Sequence, residues 1–376
     1  MKLGYLLRRC YDKFWGVDKK YTSLISKEAP WVYVSYISDV FYKRDNETYM
    51  RGHQSRQETI EIVNVFNELG YNVFLSDSNH PKLPNRNFKI LFGIEPGFVE
   101  AYRKYPEATK IYYATGAYSN HQNSMIINRT NYFSNKHNYK YPYSRLVKSY
   151  NNVVIADSIL QIGSKYTIDT YPEQYQDKIE TIHQSCVLDL NCIELNKDYS
   201  NRTDYLWLGG GGCILKGLDL VVDYFKEHSD LTIHIVGAVE RDFIKAYCGT
   251  FPSNIIFHGF MNVASVDFKN IASVCNFLIY PSCTEGGVPG SVITCMYYGI
   301  IPIVSQWAAF DEIEEMGYLL TNLDIDAIQL VIDRIIDLSD DEVKRLSVKC
   351  SIFSQNTYNL RIFEKEFKQY IKTHGG

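Results

Sequence analysis

DYLWLGGGGCILKGLDLVVDYF (204–225) begins as a short apolar run, passes through four consecutive glycines, Gly209 to Gly212, and continues as a helical segment from Lys216 to His228. An apolar run of this length, closed by glycine, reads as a covered strand. Glycine has no Cβ, so backbone N–H groups in the turn can approach an anion closely, and the helix start adds positive potential. Lys216 can place an ammonium beside the same anion, which makes Gly210, Gly211, Gly212 and Lys216 candidate phosphate-binding positions. The order Lys-Gly is not the Gly-Lys-[ST] of a P-loop, and no G-x-G-x-x-G fits, so the standard nucleotide motifs are excluded. The competing reading is a plain tight turn between strand and helix.

The same alternation extends in both directions. Downstream, LTIHIVG (231–237), NIIFHGF (254–260), NFLIYPS (276–282) and IIPIVS (300–305) read as strands, and amphipathic helices come after them near 325–337, 340–354 and 359–372. Upstream, WVYVSYIS (31–38), YNVFLS (71–76), FKILFGI (88–94), TKIYYAT (109–115), NNVVIAD (151–157) and DKIETIH (177–183) are apolar runs of the kind a covered parallel sheet needs. Strands alternating with helices imply right-handed crossovers and open α/β sheets. The chain should therefore form two doubly wound, Rossmann-like halves, a first domain over 31–200 and a second over 203–355, with residues 186–202 as linker. The helix at 356–376 is expected to pack back on the first domain. Ligands of such sheets bind beyond the carboxyl ends of the strands.

Residues 1–30 hold seven Lys/Arg against three acids, a net of +4 that leaves the rest of the chain at −8. Leu3, Leu6, Leu7, Cys10, Tyr11, Phe14 and Trp15 fall on one half of a helix there, with Lys2, Arg9, Asp12 and Lys13 opposite. This is the pattern of a peripheral membrane anchor, or of a helix packed on its own domain.

At 376 residues the chain is long enough for two or three domains. A formal charge of −4 argues against a general polyanion binder, and 45% hydrophobic with 22% charged residues excludes collagen-like and largely disordered classes. No uninterrupted apolar stretch is long enough to span a bilayer, and residues 1–16 lack a secretory signal pattern. The nine cysteines are scattered without a C-x-x-C pair, which points to reduced thiols and a cytoplasmic setting. The Tyr/Asn-rich basic stretch 131–152, with Lys136, Lys140, Arg145 and Lys148, is expected to be a mobile loop over a cleft rather than a nucleic-acid site.

A second chemical segment is YPSCTEGGVPGSVITCMYYGIIPIVS (280–305). Glu285 stands beside Gly286 and Gly287, between a strand end and a helix start. A carboxylate there can hold hydroxyl groups while neighbouring amides bind an anion. KGLDL (216–220), taken with PSCTEGGVPGSVITCMYYGIIPIVS (281–305), resembles the retaining GT-B glycosyltransferases of the large group-one class, family four. The resemblance covers about residues 203–320, with GAVERDF (237–243) and NIIFHGF (254–260) similar to the intervening strands. In the first half only GHQSRQETIEIVNVFNELGYNVFL (52–75) adds to it.

The resemblance implies a GT-B fold and transfer of a sugar from a nucleoside-diphosphate sugar to a saccharide or lipid-linked acceptor. It implies that Lys216 pairs with the donor diphosphate, that Glu285 binds donor-sugar hydroxyls, and that Gly286 and Gly287 offer amides to sugar and phosphate. Two positions depart from the pattern. The basic residue usual after the first glycine is Gly210 here, and the second glutamate, which usually holds the ribose, is Thr294. His121, in ATGAYSNHQN (114–123), is the stronger acceptor-side catalytic candidate, ahead of His53, while His258 is expected to be structural. No cofactor is implied beyond the nucleotide sugar, and no metal. Asp324-Ile-Asp326 spells a D-x-D, but it opens an amphipathic helix, where acids favour the N-terminus anyway. Surface polysaccharide assembly at the inner membrane face would suit the basic N-terminal segment. Two other readings stay open: a non-catalytic nucleotide-sugar or glycan-binding protein, favoured by Thr294, and a GT-B sugar-nucleotide epimerase.

Overall fold

WVYVSY presents almost no polar face to water, so it needs cover on both sides of a sheet. In the computed structural model, which describes residues 20–188 and 196–376, it forms β2 (Trp31–Tyr36). Its Val32, Val34 and Tyr36 meet one helical layer, and Tyr33 meets the other. The other strands of this sheet are β1 (Lys20–Ser23), β3 (Asn72–Asp77), β4 (Ile90–Gly93), β5 (Thr109–Ala114), β6 (Ser158–Ile162) and β7 (Ile179–Ile182). Their order is β1-β3-β2-β4-β5-β6-β7, parallel throughout except for β1 against β3. The chain therefore joins the sheet before Trp31, so residues from Lys20 onward belong to the first domain rather than to a separate basic segment. The helix expected over residues 2–15 lies outside the described residues.

The second sheet contains β8 (Asp204–Leu208), β9 (Thr232–Val236), β10 (Ile255–Gly259), β11 (Phe277–Tyr280), β12 (Ile301–Ser305) and β13 (Tyr318–Leu320). They run in the order β10-β9-β8-β11-β12-β13, every pair parallel. From β8 the chain moves to one side for β9 and β10, then returns to the other side for β11. The loops that leave β8 and β11 thus flank the point where strand order reverses, the place where open α/β sheets bind ligands. β13 has no counterpart in the sequence reading because YLL is too short to show a period.

Three segments join the domains. The helix Leu360–His374 returns to the first domain, where Phe363, Phe367, Tyr370 and Ile371 enter the core beside Phe66. The stretch 131–152 is loop only in part: its first residues complete the helix Ser119–Lys136, and Tyr139 and Tyr141 beyond the helix end pack on the second domain. Arg145, Val147, Lys148 and Tyr150 line the cavity between the domains, as expected of a loop over a cleft. Phe133 is fully buried and stacks on Phe243 at 5.8 Å, Tyr141 joins the same core, and Lys136 pairs with Asp223 at 2.8 Å. Tertiary burial holds this helix; its mostly polar sequence hides the periodicity. Beneath it Arg129 and Asp219 form a buried pair at 2.5 Å, in which burial pushes the carboxyl up while the guanidinium pulls it down.

At the crossover, Cys186 N–H donates to Tyr358 O at 3.0 Å, and Ser185 donates from both N (2.7 Å) and Oγ (3.0 Å) to Glu58 Oε1. Glu58 is fully buried, and desolvation pushes its carboxyl up to about 7. Its folded-state pKa lies above the unfolded value, so the folded state holds the proton more tightly. The resulting stability is complete below the unfolded value of about 4.3 and is lost as pH rises through the folded one. Glu58→Gln should remove that loss, on the order of 3 kcal/mol. Chemical denaturation at mildly acidic and mildly alkaline pH reads it directly, and an unchanged pH dependence in the variant would refute the assignment.

Candidate active site

The loop after β8 is stitched to the loop after β11. Cys283 N–H donates to Leu215 O at 2.7 Å, and the indole N–H of the fully buried Trp207 donates to Lys216 O at 3.2 Å. Gly217 has φ +68, and a Cβ there would lie 2.2 Å from Pro281 O, so only glycine lets the two loops meet at this point. These contacts fix the backbone of Lys216 beside the segment that carries Glu285.

Glu285 Oε1 accepts from Ser282 Oγ at 2.8 Å and from Tyr280 OH at 3.2 Å. Burial pushes this carboxyl up, and Lys216 is the strongest charge opposing the shift. Burial likewise pushes the Lys216 ammonium down, and Glu285 opposes that. Each charge is therefore partly compensated by the other, and both side chains are half-buried. Lys216 Nζ also lies 3.9 Å from where a Cβ at Gly210 would sit, which places Gly210 beside the ammonium whose charge acts on Glu285.

This cluster faces the first domain. A Cβ on Gly286 would lie 2.5 Å from Gly116 Cα, and one on Gly287 would lie 3.1 Å from the Ile162 side chain. Gly286 O accepts from Thr167 Oγ1 at 2.7 Å. The two glycines therefore form the seam between the domains. Beside the seam lies a cavity of about 230 Å³ lined by Thr284, Glu285 and Gly286 from one side and by Glu95, Tyr118, Arg145 and Lys148, among others, from the other. Glu95 follows β4, next to the point where strand order reverses in the first sheet, and burial pushes its carboxyl up.

Several expected positions lie elsewhere. Gly212 N–H donates to Glu240 Oε1, and Cys213 N–H donates to Glu240 Oε2 at 3.1 Å. A carboxylate from the segment after β9 thus fills the amide nest expected to take phosphate, and a Cβ on Gly211 would lie 3.7 Å from the same Oε1. Thr294 is buried in the helix Gly290–Tyr297, where its hydroxyl donates to Gly290 O at 2.7 Å, so it does not face the cavity. His121 Nε2 meets Tyr166 OH at 3.0 Å, and His121 does not line the cavity; neither does Lys216, whose neighbour Leu215 does. His53 instead shares the cluster's field: burial, then Arg56, Arg145 and Lys216, push its imidazole down and favour the neutral ring. His258 is bound to His234 at 2.9 Å, and His234 to Asp204 at 3.1 Å, across neighbouring strands.

Arg145, Glu95 and Glu240 are the site residues that sequence reading missed. Glu95 had a usable signal, since it directly follows an apolar strand where a cleft-facing loop belongs. Arg145 lies in the basic stretch expected over a cleft, which does not single it out, and the position of Glu240 depends on tertiary packing and carries no local pattern. Asp324 accepts from Ala327 N–H at 2.8 Å as the cap of Ile325–Ile336. Among the described residues, no group of three or more His, Cys, Asp or Glu could hold a metal ion, and no helix is long and apolar enough to cross a membrane.

No protein-family model matches the chain, and no curated protein sequence matches it. Solved structures do. Sucrose-phosphate synthase from Thermosynechococcus elongatus superposes with a TM-score of 0.61 at 11% identity, over 92% of this chain and 99% of that one. HepE of Anabaena, solved with UDP-glucose, gives 0.56 at 11% identity over 92% and 100% of the two chains. A glycosyltransferase from Rickettsia africae gives 0.55 at 12% identity over 93% and 99%. With the two parallel sheets and the cleft between them, these likenesses define the fold as GT-B: two Rossmann-like domains that face each other.

Proposed function

We propose that the protein is a glycosyltransferase that moves a sugar from a nucleoside-diphosphate sugar to a saccharide or lipid-linked acceptor. The observation that carries this reading is the stitching of the Lys216 and Glu285 loops at the strand-order reversal of the second sheet, where each side chain feels the other's charge and Glu285 lines a cavity completed by the first domain. Lys216 stabilises the departing diphosphate, and Glu285 holds hydroxyls of the sugar as positive charge builds on its ring. The bond from the anomeric carbon to the phosphate oxygen breaks on the face where the acceptor oxygen bonds. The acceptor's proton passes to the leaving phosphate, so the anomeric configuration is retained. No metal or further cofactor takes part.

The test is incubation with uridine, guanosine and adenosine diphosphate sugars, with and without chelator, scoring free nucleoside diphosphate and sugar transfer. Release of diphosphate that survives chelation supports the reading; binding without turnover across acceptors rejects it. The Glu240 carboxylate on the glycine-loop amides favours a second reading, a non-catalytic nucleotide-sugar-binding or glycan-binding protein, which the same result would establish. Conversion of donor without acceptor would instead indicate an epimerase.

The basic, apolar-faced pattern of residues 1–20 supports a setting at the cytoplasmic face of a membrane, in surface polysaccharide assembly. The full chain should co-sediment with anionic vesicles at low salt and lose that binding when residues 1–20 are deleted. No sedimentation of the intact chain would reject the membrane contact.

A further inference from the structure

The charges acting on Lys216 include two carboxylates, Glu285 and Glu240, and one other cation, Arg145. One ammonium flanked by two carboxylates exerts little net attraction on a multiply charged diphosphate. A second cation is needed, and the glycine run after β8 holds none.

Arg145 lies in the first domain's segment that crosses to the second, and several contacts set its position. Its φ is +66, a left-handed conformation uncommon for a residue with a side chain and kept only where the surroundings impose it. The helix Ser119–Lys136 imposes it here. Gln122 Nε2 donates to Arg145 O at 3.2 Å, and Asn123 both donates to Val147 O at 2.8 Å and accepts from Val147 N–H at 2.9 Å. The Arg145 side chain runs across the glycine loop so closely that a Cβ on Gly212 would lie 3.0 Å from its Cγ. It lines the cavity with Glu285 and Gly286, and among the described residues it enters no ion pair.

We infer that Arg145 is a second phosphate-binding cation, brought from the first domain across the seam to a diphosphate held by Lys216. This rests on the nucleotide-sugar reading of the site. A guanidinium presents a planar pair of N–H donors that fits two phosphate oxygens at once, which an ammonium cannot do. Because the two cations come from different domains, the bound diphosphate ties the domains together. Gly210 and Gly212 have complementary parts: Gly210 carries no side-chain cation, and Gly212 leaves room for one arriving from outside.

Calorimetric titration of the wild type, R145A, R145K and the double variant R145A/G210R tests this, using uridine, guanosine and adenosine diphosphates and their parent nucleosides. R145A should weaken binding of the preferred diphosphate by about ten- to hundredfold, leaving nucleoside affinity and the apo melting temperature unchanged. R145K should fall between. G210R should restore diphosphate binding in the R145A background, because the nearest atom to a Cβ at 210 is Lys216 Nζ at 3.9 Å. Wild-type diphosphate affinity in R145A overturns the inference alone, as does an equal loss of nucleoside binding. A wild type that binds none of the diphosphates overturns the nucleotide-sugar reading as well.

Discussion

Lys216→Ala should lower turnover by about two to three orders of magnitude, the usual effect of removing one preorganised group at a developing negative charge. It should also weaken nucleoside diphosphate binding while leaving the parent nucleoside unaffected. The half-buried ammonium lies in the field of Glu285, and its backbone is pinned by Trp207 and by the contact of Gly217 with Pro281. A charge fixed in this way needs no reorganisation when the leaving group departs, which is why its loss costs more than that of a mobile surface lysine. Comparison of kcat with the dissociation constant separates the two effects. If kcat and diphosphate affinity both matched the wild type, Lys216 would have no place in the site.

Glu285→Gln should act differently. The amide keeps the shape but loses the charge that holds sugar hydroxyls against the ring's growing positive charge, so turnover should fall by about ten- to hundredfold. Diphosphate affinity should hold or tighten, because the carboxylate that opposes the field of Lys216 is gone. The sign of the affinity change is the informative part. Weaker diphosphate binding in E285Q would mean that Glu285 shapes the phosphate site rather than the sugar site.

Much of this arrangement is legible in the sequence because it depends on local pattern. Apolar runs such as FLIY and IPIVS mark strands that must be covered, and the glycine run with Lys-Gly marks the β8 turn. The resemblance through 281–305 pairs Lys216 with Glu285 from sequence alone. Segments whose structure depends on distant partners are not legible. The helix Ser119–Lys136 is mostly polar and is held by Phe133 and Arg129 reaching into the second domain. Glu240 enters the glycine-loop amides from another strand, and Arg145 reaches the loop from another domain. The polar neighbours of His121 favour it over His53 in sequence, yet its imidazole meets Tyr166, and His53 shares the field of Lys216.

The most direct measurement is a crystal structure with a non-hydrolysed nucleoside-diphosphate sugar bound. The diphosphate should lie within hydrogen-bond distance of Lys216 Nζ, and a sugar hydroxyl should rest on the Glu285 carboxylate. A ligand bound with its phosphates away from Lys216 and its sugar away from Glu285 would contradict the account.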